Sequence, residues 1–393
     1  MWYLNNLGLL CNLGNHPRQL LQLLLTRDRP VPAQSSLFHR RGGRWLGEVR
    51  AELPALPAPL ARFDCRNNRL ANAALTQIRP AIEAAKVRYG AGRVAVVMAT
   101  STTGIAATEE ALRVLATEGD YPRGYHALQG ALAGLGEFVA ATLGIHGPTS
   151  TISTACSSSG NALLSARRLL SLGLCDAVVV GGVDSICDMT LQGFGALEAL
   201  ARDYCRPFTT DRDGINIGEG AAVFLMSAEA VGPRFLGGAA SSDAYHISAP
   251  QPEGEGAFAA MQAALRDARI HAADVDYLNL HGTGTPHNDS MECAAVARLF
   301  GSMTPCSSTK GYTGHTLGAA SALELALCWL LLSGHPLWRL PPSPFIGEID
   351  PELAPVCFTG ANDCNGRRPE VCMSNSFAFG GSNVSLVLGA NND

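Results

Sequence analysis

Charge is scarce in this 393-residue sequence. Charged residues make up 16% of it, against about 25% in an average globular domain, and aromatic residues make up only 6%. The 29 basic and 34 acidic residues give a net charge of −5, so the chain has no positive field for bulk nucleic-acid binding. Hydrophobic residues make up 47%, which excludes a disordered chain. We therefore expect extensive burial of aliphatic side chains and a buried subunit interface.

The sequence also lacks a convincing membrane or export segment. The best candidate span, Thr316 to Leu332, contains Glu324 and has no basic flank, which favours a buried helix over a membrane span. The N-terminus, Met1 to Leu4, has no basic region of the kind that opens a secretory signal. We expect a cytoplasmic protein without a membrane span.

Recognisable metal and nucleotide motifs are missing as well. The 12 cysteines form no Cys-x-x-Cys pair and no zinc-finger spacing, and the sequence contains no His-Glu-x-x-His. We therefore expect reduced thiols and no metal. The absence of Gly-x-Gly-x-x-Gly between a strand and a helix disfavours a nicotinamide dehydrogenase.

Apolar runs alternate with helical stretches, which predicts an α/β protein whose sheets are covered by helices. Continuous apolar runs suit strands that are buried on both faces. The predicted strands are Val94 to Met98, Asp176 to Gly182, Ala221 to Met226, Tyr277 to Leu280 and Val384 to Leu388. The predicted helices include a stretch after Gly104 that runs through Glu109 to Leu115, and Gly256 to Ala268.

Two segments resemble each other, Thr154 to Ala166 and Thr313 to Glu324. Each begins with threonine and a small residue, continues as a helix with a small-residue face, and follows a predicted strand. Their alignment places Cys156 opposite His315. This similarity predicts two related halves, 1–232 and 233–393, that each direct one helix N-terminus at a common centre.

Cys156 is the strongest candidate nucleophile. It is predicted in the first turn of a helix, where free backbone N–H groups and the helix dipole favour an anion and lower the pKa of a thiol. The alternative is a small buried thiol, which is the better interpretation of the other cysteines.

Further candidates lie in the C-terminal part. His281 ends a predicted strand and precedes Gly-Thr-Gly-Thr-Pro, although a structural histidine is equally compatible with this position. Glu324 needs a partner because an unpaired buried carboxylate is costly, and Lys310 is the nearest one in sequence. The segment Asn375 to Asn383 has glycines that could expose backbone N–H groups to an oxyanion, or it forms an ordinary hairpin.

Together these segments resemble the elongating β-ketoacyl-acyl-carrier-protein synthases, the Cys-His-His condensing enzymes of the thiolase superfamily. The resemblance runs from about Leu4 to Gly389. Its motifs are Thr154-Ala-Cys156-Ser-Ser, Gly181-Gly-Val-Asp184-Ser, Arg206-Pro-Phe-Thr-Thr-Asp-Arg-Asp-Gly214, His281-Gly-Thr-Gly-Thr-Pro286, Thr309-Lys310, Thr313-Gly-His315 and Asn375-Ser-Phe-Ala-Phe-Gly-Gly381. All of them stand in the family's order.

The resemblance implies a five-layer αβαβα sandwich, an obligate dimer, and decarboxylative Claisen condensation of malonyl-carrier with an acyl-enzyme that extends a fatty-acyl, polyene or polyketide chain. The 4′-phosphopantetheine arm belongs to the acyl carrier protein, so no resident cofactor is expected. The implied roles are acyl acceptor for Cys156, malonyl activation for His281 and His315, and a supporting charged pair for Lys310 and Glu324. Thr283 and Thr285 match the positions that bind the phosphopantetheine arm, and Phe379 matches the aromatic gate between the acyl and malonyl sites. The implied oxyanion hole uses the backbone at Cys156, Phe379 and Gly380.

Several positions concern specificity and partners. Thr102 matches a position that lines the acyl pocket, so a polar or unsaturated chain is expected. Asn67, Asn68 and the segment after Gly181 indicate the aryl-polyene subgroup, in which the dimer is either homomeric or formed with a cysteine-lacking chain-length partner. Arg66 and Arg69 match a carrier-docking patch, or they form a solvated helix face.

Two alternatives in the same superfamily and one of a different functional class, a non-catalytic subunit, are less favoured. A degradative thiolase needs a second catalytic cysteine in a glycine-rich loop, whereas Cys372 precedes that loop. A chain-initiating synthase has asparagine where His315 stands. A non-catalytic subunit that shapes the product pocket would not need the intact set of Cys156, His281, Lys310 and His315.

Overall fold

A computed structural model describes residues 1–24, 33–333, 339–344, 347–360 and 368–391 of the chain. In these ranges the strands are β1 (Trp2–Cys11), β2 (His39–Arg41), β3 (Arg44–Leu46), β4 (Val94–Ala99), β5 (Thr149–Ile152), β6 (Ala177–Asp184), β7 (Gly220–Ser227), β8 (Arg234–Ser242), β9 (Tyr277–Asn279), β10 (Pro305–Ser307), β11 (Cys357–Phe358), β12 (Val371–Phe377) and β13 (Ser382–Gly389). The α-helices are α1 (Pro17–Leu24), α2 (Gln34–Leu37), α3 (Arg66–Tyr89), α4 (Ile105–Glu118), α5 (Gly134–Leu143), α6 (Ser158–Ser171), α7 (Asp188–Ala196), α8 (Glu255–Ala268), α9 (Pro286–Phe300), α10 (Lys310–Thr313) and α11 (Ala320–Leu332).

The strand order shows that the fold is duplicated. One 11-stranded sheet runs β11-β10-β9-β12-β13-β8-β1-β7-β6-β4-β5. From the centre outwards, the N-terminal half runs β1, β7, β6, β4, β5, and the C-terminal half runs β8, β13, β12, β9, β10 with β11 added at its edge. If only the strands of this sheet are counted and β11 is set aside, both halves follow the order first, fifth, fourth, second, third. The halves join where Trp2 and Tyr3 pair with Phe235 and Arg234. The exact boundary after residue 232 stays a prediction, because the described loop between β7 and β8 runs from residue 228 to 233.

The elements stack in five layers, as the thiolase-like fold requires. Helices α3 and α5 cover the outer face of the N-terminal half, and α8 and α9 cover that of the C-terminal half. Helices α6 and α11 lie between the two halves and contact strands of both. The starts of these two helices contact each other, because the Ala322 N–H donates to the Ser159 hydroxyl at 2.9 Å and the Ser321 hydroxyl donates to the Cys156 carbonyl oxygen at 3.2 Å.

The predicted strands are confirmed, with ends that differ by one or two residues. Every residue of β4, β6 and β7 is buried, as a strand covered on both faces requires. The predicted helices correspond to α4 and α8.

The central helix α11 explains the low charge content. All but one of its 13 residues are buried, and Glu324 is its one charged residue. A helix that is apolar around its whole circumference belongs in a protein interior or a membrane. None of the described helices is both long and apolar enough to cross a membrane.

Small residues let the central layer approach the sheets closely. A Cβ atom added to Gly182 of β6 would lie 2.7 Å from the Ser159 Cβ and 2.9 Å from the Ala319 Cα. Because a heavy atom at that distance must displace helix α6 or the residue preceding α11, glycine is required here on steric grounds.

We expect Gly182→Ala to lower the free energy of unfolding by about 1–3 kcal/mol, because overpacking a close-packed interior forces backbone shifts. Urea unfolding followed by circular dichroism measures the change. Gly92→Ala is the matched control, since an added Cβ there meets no atom within 4 Å. An equal effect of both substitutions would contradict the steric explanation.

Candidate active site

Cys156 lies in a tight turn between β5 and α6. The preceding residue, Ala155, has a φ of 51°, which is uncommon for a residue other than glycine. Helix α6 begins at Ser158, so Cys156 stands two residues before the helix and not in its first turn as predicted. The cysteine is 3% exposed. The turn thus directs a buried sulfur towards the contact between the two halves.

The ionisation of this thiol differs from the prediction. Burial raises the pKa of the Cys156 thiol to about 11, and the charge of Lys310 and the backbone N–H of Phe379 offset only part of the increase. The predicted lowering of this pKa is therefore wrong for the resting site. The free thiol is protonated at neutral pH.

His315 faces the sulfur across the boundary between the halves. Its Nε2 lies 3.0 Å from the Cys156 Sγ, and its Nδ1 accepts the backbone N–H of Leu317 at 3.1 Å. Burial, together with the charge of Lys310, holds the pKa of His315 well below its usual value, so the imidazole is neutral. A neutral imidazole that accepts at Nδ1 carries its proton at Nε2. His315 therefore presents an N–H donor to the centre of the site.

His281 adopts the same tautomer by a different contact. Lys310 donates from Nζ to the carbonyl oxygen of His281 at 2.6 Å and lies 3.2 Å from its Nδ1. An ammonium group can only donate, so Nδ1 accepts and Nε2 carries the proton. Burial and the neighbouring positive charge lower the pKa of His281 far below its usual value. The centroids of the two imidazole rings are 5.4 Å apart.

Lys310 and Glu324 form the buried ion pair that was expected from the sequence. The Lys310 ammonium donates to Glu324 Oε1, and the two side chains are 0% and 4% exposed. Burial raises the pKa of the Glu324 carboxyl to about 7, against the lowering effect of Lys310. This ion pair holds the ammonium group beside His281.

Two buried carboxylates under the His281 loop were missed in the sequence. Glu292 accepts the backbone N–H groups of His281 and Gly282, each at 2.7 Å, and Asp289 accepts that of Gly284 at 3.2 Å. Burial raises the pKa of Glu292 to about 7 and that of Asp289 to about 6. Asp289 and Glu292 are three residues apart near the start of helix α9, so both lie on one face of the helix and can contact the same loop. This spacing in the sequence could have identified them as supports of the His281 loop.

A cavity of about 410 Å³ opens onto the sulfur. Its wall contains the predicted residues Cys156, His281, Thr283, Thr285, His315 and Phe379. The hydroxyl oxygens of the two threonines lie 2.8 Å apart, so they offer adjacent polar groups to a ligand that extends towards the sulfur.

The glycine-rich loop near the C-terminus fulfils only part of its prediction. The backbone N–H of Phe379 is directed at the Cys156 sulfur, and its ring packs on Phe194 at a centroid distance of 5.6 Å. The N–H of Gly380, in contrast, donates to the carbonyl oxygen of Ile247 at 2.9 Å. The expectation that Gly380 contributes an oxyanion donor is therefore wrong, because this turn uses its N–H.

Thr102 does not line the cavity. It is fully buried, and both its hydroxyl and its backbone N–H donate to Asp184 Oδ1 at 2.7 Å. The hydroxyl is thus unavailable to an acyl chain, which removes the basis for expecting a polar chain there.

Arg66 and Arg69 lie on helix α3, as predicted, but each is ion-paired inside the chain. The Arg66 Nε donates to Glu219 Oε2 at 2.9 Å, and Glu219 is fully buried. The Arg69 Nε donates to Asp64 Oδ1 at 2.7 Å. These contacts pair both charges within the chain, and the two side chains are still partly exposed, so the carrier-docking role of Arg66 and Arg69 stays a prediction.

The sulfur and the two imidazoles could also ligate a metal, because their ligand atoms lie within 4.8 Å of one another. The Lys310 ammonium, however, contacts one of these imidazoles and repels a cation. The electrostatics of the site thus favour an anion or a polarised carbonyl oxygen over a metal.

Comparison with known families gives two matches along the chain. The N-terminal domain of the β-ketoacyl synthase family matches residues 65–230, and its C-terminal domain matches residues 234–339.

Individual proteins are similar to larger parts of the chain. Nodulation protein E of Rhizobium meliloti is 33% identical over an alignment of 408 positions, and this alignment covers 98% of this chain and 98% of that protein. The 3-oxoacyl-[acyl-carrier-protein] synthase 2 of Rhizobium meliloti (strain 1021) is 39% identical over 263 residues, which span 62% of this chain and 61% of that protein.

Among solved structures, the ketosynthase ApeO in complex with its chain length factor ApeC from Xenorhabdus doucetiae is similar to this chain. The identity is 42%, the TM-score is 0.89, and the alignment covers 99% of this chain and 98% of that one.

We expect alkylation of Cys156 by iodoacetamide to accelerate roughly tenfold per pH unit between about pH 7 and pH 10, since only the thiolate reacts. The physical reason is the pKa of about 11 that burial imposes on the thiol. Intact mass spectrometry against time measures the rate, and Cys156→Ala identifies signal from other thiols. A rate that levels off near pH 7 would show a preformed thiolate.

Proposed function

The chain belongs to the β-ketoacyl synthase family, and from this premise we propose that it elongates a carrier-bound acyl chain by decarboxylative Claisen condensation with a malonyl thioester. The observation that carries the proposal is the buried set of one thiol and two imidazoles, whose ligand atoms lie within 4.8 Å of one another and whose Nδ1 contacts leave an N–H donor on each Nε2. The two donors suit a substrate oxygen that gains negative charge during the reaction.

The first step is acyl transfer. The sulfur of Cys156 attacks the carbonyl carbon of an acyl-carrier thioester, the carbon–sulfur bond to the carrier breaks, and the thiol proton leaves with the carrier's sulfur. The backbone N–H of Phe379 supports the developing oxyanion without changing its own protonation state. Because the resting thiol has a high pKa, an approaching substrate must assist its ionisation.

The second step is decarboxylation. The thioester oxygen of a malonyl group accepts hydrogen bonds from His281 and His315, and the bond to the carboxylate carbon breaks to give carbon dioxide and an enolate. The enolate carbon attacks the acyl-Cys156 carbonyl. The carbon–sulfur bond then breaks, a 3-oxoacyl thioester leaves, and the released thiolate of Cys156 takes up a proton from water.

Neutral histidines are central to this assignment. Burial and Lys310 keep both imidazoles unprotonated at Nδ1, so each can donate one hydrogen bond without adding a full positive charge to the resting cavity. The donors stabilise charge that appears mainly in the transition state, which raises the rate and not merely the affinity.

The substrate arm supplies the remaining contacts. We assign the wall at Thr283 and Thr285 to the amide groups of a phosphopantetheine arm, which arrives with the acyl carrier protein, so the chemistry needs no resident cofactor or metal. The proposed nucleophile requires a reduced thiol, in agreement with the cytoplasmic location expected from the sequence. The aryl-polyene subgroup stays a prediction.

We also propose that a related chain covers the free edge of the sheet. Strand β5 ends the sheet, with a neighbour only on its β4 side among the described strands. An open edge presents unpaired backbone groups and is usually covered.

Two helices of the same half that contact each other, α4 and α7, also leave apolar side chains uncovered. Only Ala111 of helix α4 is buried, and no residue of α7 is. Their exposed apolar side chains include Leu112 (49%) and Met189 (53%). The partner is either a second copy or a chain-length-factor-like subunit, as in the complex with 42% identity.

We expect Cys156→Ala to abolish acyl transfer and condensation, because the acceptor sulfur is removed. His315→Ala should chiefly reduce malonyl decarboxylation, by on the order of 100-fold or more, because one of the two donors is lost. Intact mass measures acylation, and release of carbon dioxide from malonyl-carrier measures decarboxylation.

The two half-reactions serve as controls for each other. An acyl adduct on the Cys156→Ala protein would exclude this cysteine as the acceptor. Equal decarboxylation by His315→Ala and the unaltered protein would remove the proposed role of His315.

For the interface, we expect Leu112→Glu to convert a two-chain complex into single chains, since it places a charge against an apolar partner surface. Multi-angle light scattering on the chain, alone and co-expressed with its related partner, measures the mass. Leu172→Glu is the matched control. Leu172 is 73% exposed and follows the C-terminal end of α6, whereas Cys156 precedes the N-terminal end of that helix. A complex that survives Leu112→Glu would place the interface elsewhere.

A further inference from the structure

Asp184 is a buried carboxylate that connects the two halves, and the reaction proposed above gives it no part. It ends strand β6 and is 0% exposed. Its Oδ1 accepts hydrogen bonds from the Thr100 hydroxyl, from the backbone N–H of Ser101 and from the N–H and hydroxyl of Thr102, all at 2.7 to 2.8 Å. Its Oδ2 accepts the backbone N–H of Ala319 at 3.0 Å.

The bond to Ala319 supports the turn that follows His315. In this turn Leu317 has a φ of 52°, which is a strained conformation for leucine. Such strain persists only where neighbouring contacts hold the backbone on both sides. The Leu317 N–H contacts His315 Nδ1 on one side, and the Asp184 carboxylate holds Ala319 on the other.

Close packing fixes the carboxylate against the same turn. A Cβ atom added to Gly318 would lie 2.8 Å from Asp184 Oδ2 and 2.7 Å from the Ser101 Oγ. The turn therefore cannot shift towards the N-terminal half without displacing Asp184.

We propose that Asp184 is a positioning residue for His315. By holding Ala319 it keeps the strained Leu317 N–H on His315 Nδ1, which leaves the imidazole proton on Nε2 and facing Cys156. The inference rests on the proposed function only for its kinetic readout, because the tautomer of His315 can be observed without turnover.

An asparagine at position 184 tests the two sides of this contact separately, because its amide has one oxygen that accepts and one nitrogen that donates. The four donors around Oδ1 require an acceptor, so the carbonyl oxygen of an asparagine must take that side. Its NH₂ group then faces the Ala319 N–H, donor against donor. Asp184→Asn thus retains the loop contacts and removes the support of the turn.

We expect Asp184→Asn to lower kcat for decarboxylation of malonyl-pantetheine on the order of 10- to 100-fold, because small displacements of a reacting group are costly. KM for that thioester and the rate of Cys156 acylation by octanoyl-pantetheine should change less than about threefold, since neither uses the His315 donor as its main contact. Thr100→Val is the control, because it removes a donor on Oδ1 and leaves the Ala319 bond. Equal losses in both half-reactions of folded Asp184→Asn, or no loss in either, would overturn the proposal.

Two further measurements do not depend on the kinetics of Asp184→Asn. Leu317→Ile retains the apolar volume but disfavours a positive φ, so it should reproduce the selective loss of decarboxylation. Nitrogen-15 chemical shifts of His315, assigned with His315→Ala, should report the Nε2–H tautomer in the unaltered protein and a mixture in Asp184→Asn. An unchanged tautomer overturns the inference, whereas absence of both half-reactions in the unaltered protein refutes the proposed function instead.

Discussion

A buried ammonium group determines the chemistry of this site. Lys310 is 0% exposed, and burial of an unpaired charge is prohibitively costly, so the chain surrounds it with Glu324 and the backbone and ring of His281. The same charge fixes the His281 tautomer, lowers the pKa of both imidazoles and partly offsets the desolvation of Cys156. Burial is the larger cause of all three shifts, and this one cation contributes to each of them.

The duplicated fold explains how those groups meet. Each half directs the start of one central helix to the middle layer, and the two starts carry different side chains, a thiol in one half and an imidazole in the other. The divergence of the halves supplies a nucleophile and a hydrogen-bond donor at equivalent places. Glu292 and Asp184 then secure the backbone around the two histidines by accepting N–H groups, a task for which a buried carboxylate is well suited.

Much of this could be predicted because it depends on local pattern. Continuous apolar runs located the inner strands, and the similarity between two segments predicted the contact between Cys156 and His315. The cost of burying Glu324 was enough to pair it with Lys310. What failed depends on contacts between distant parts of the chain. The high pKa of Cys156 follows from complete burial, and the Gly380 N–H is engaged by Ile247 from another part of the chain.

The pairing of the first strand has a consequence for biosynthesis. Strand β1 pairs along its length with β7, whose residues follow it by more than 200 positions, and its first residues pair with β8. The ribosome must therefore release most of the N-terminal half before the central part of the sheet can close. During that interval the apolar β1 segment is exposed in the nascent chain, and contacts of such high sequence separation form slowly. This delay is a direct consequence of pairing β1 with a strand that follows it by more than 200 residues.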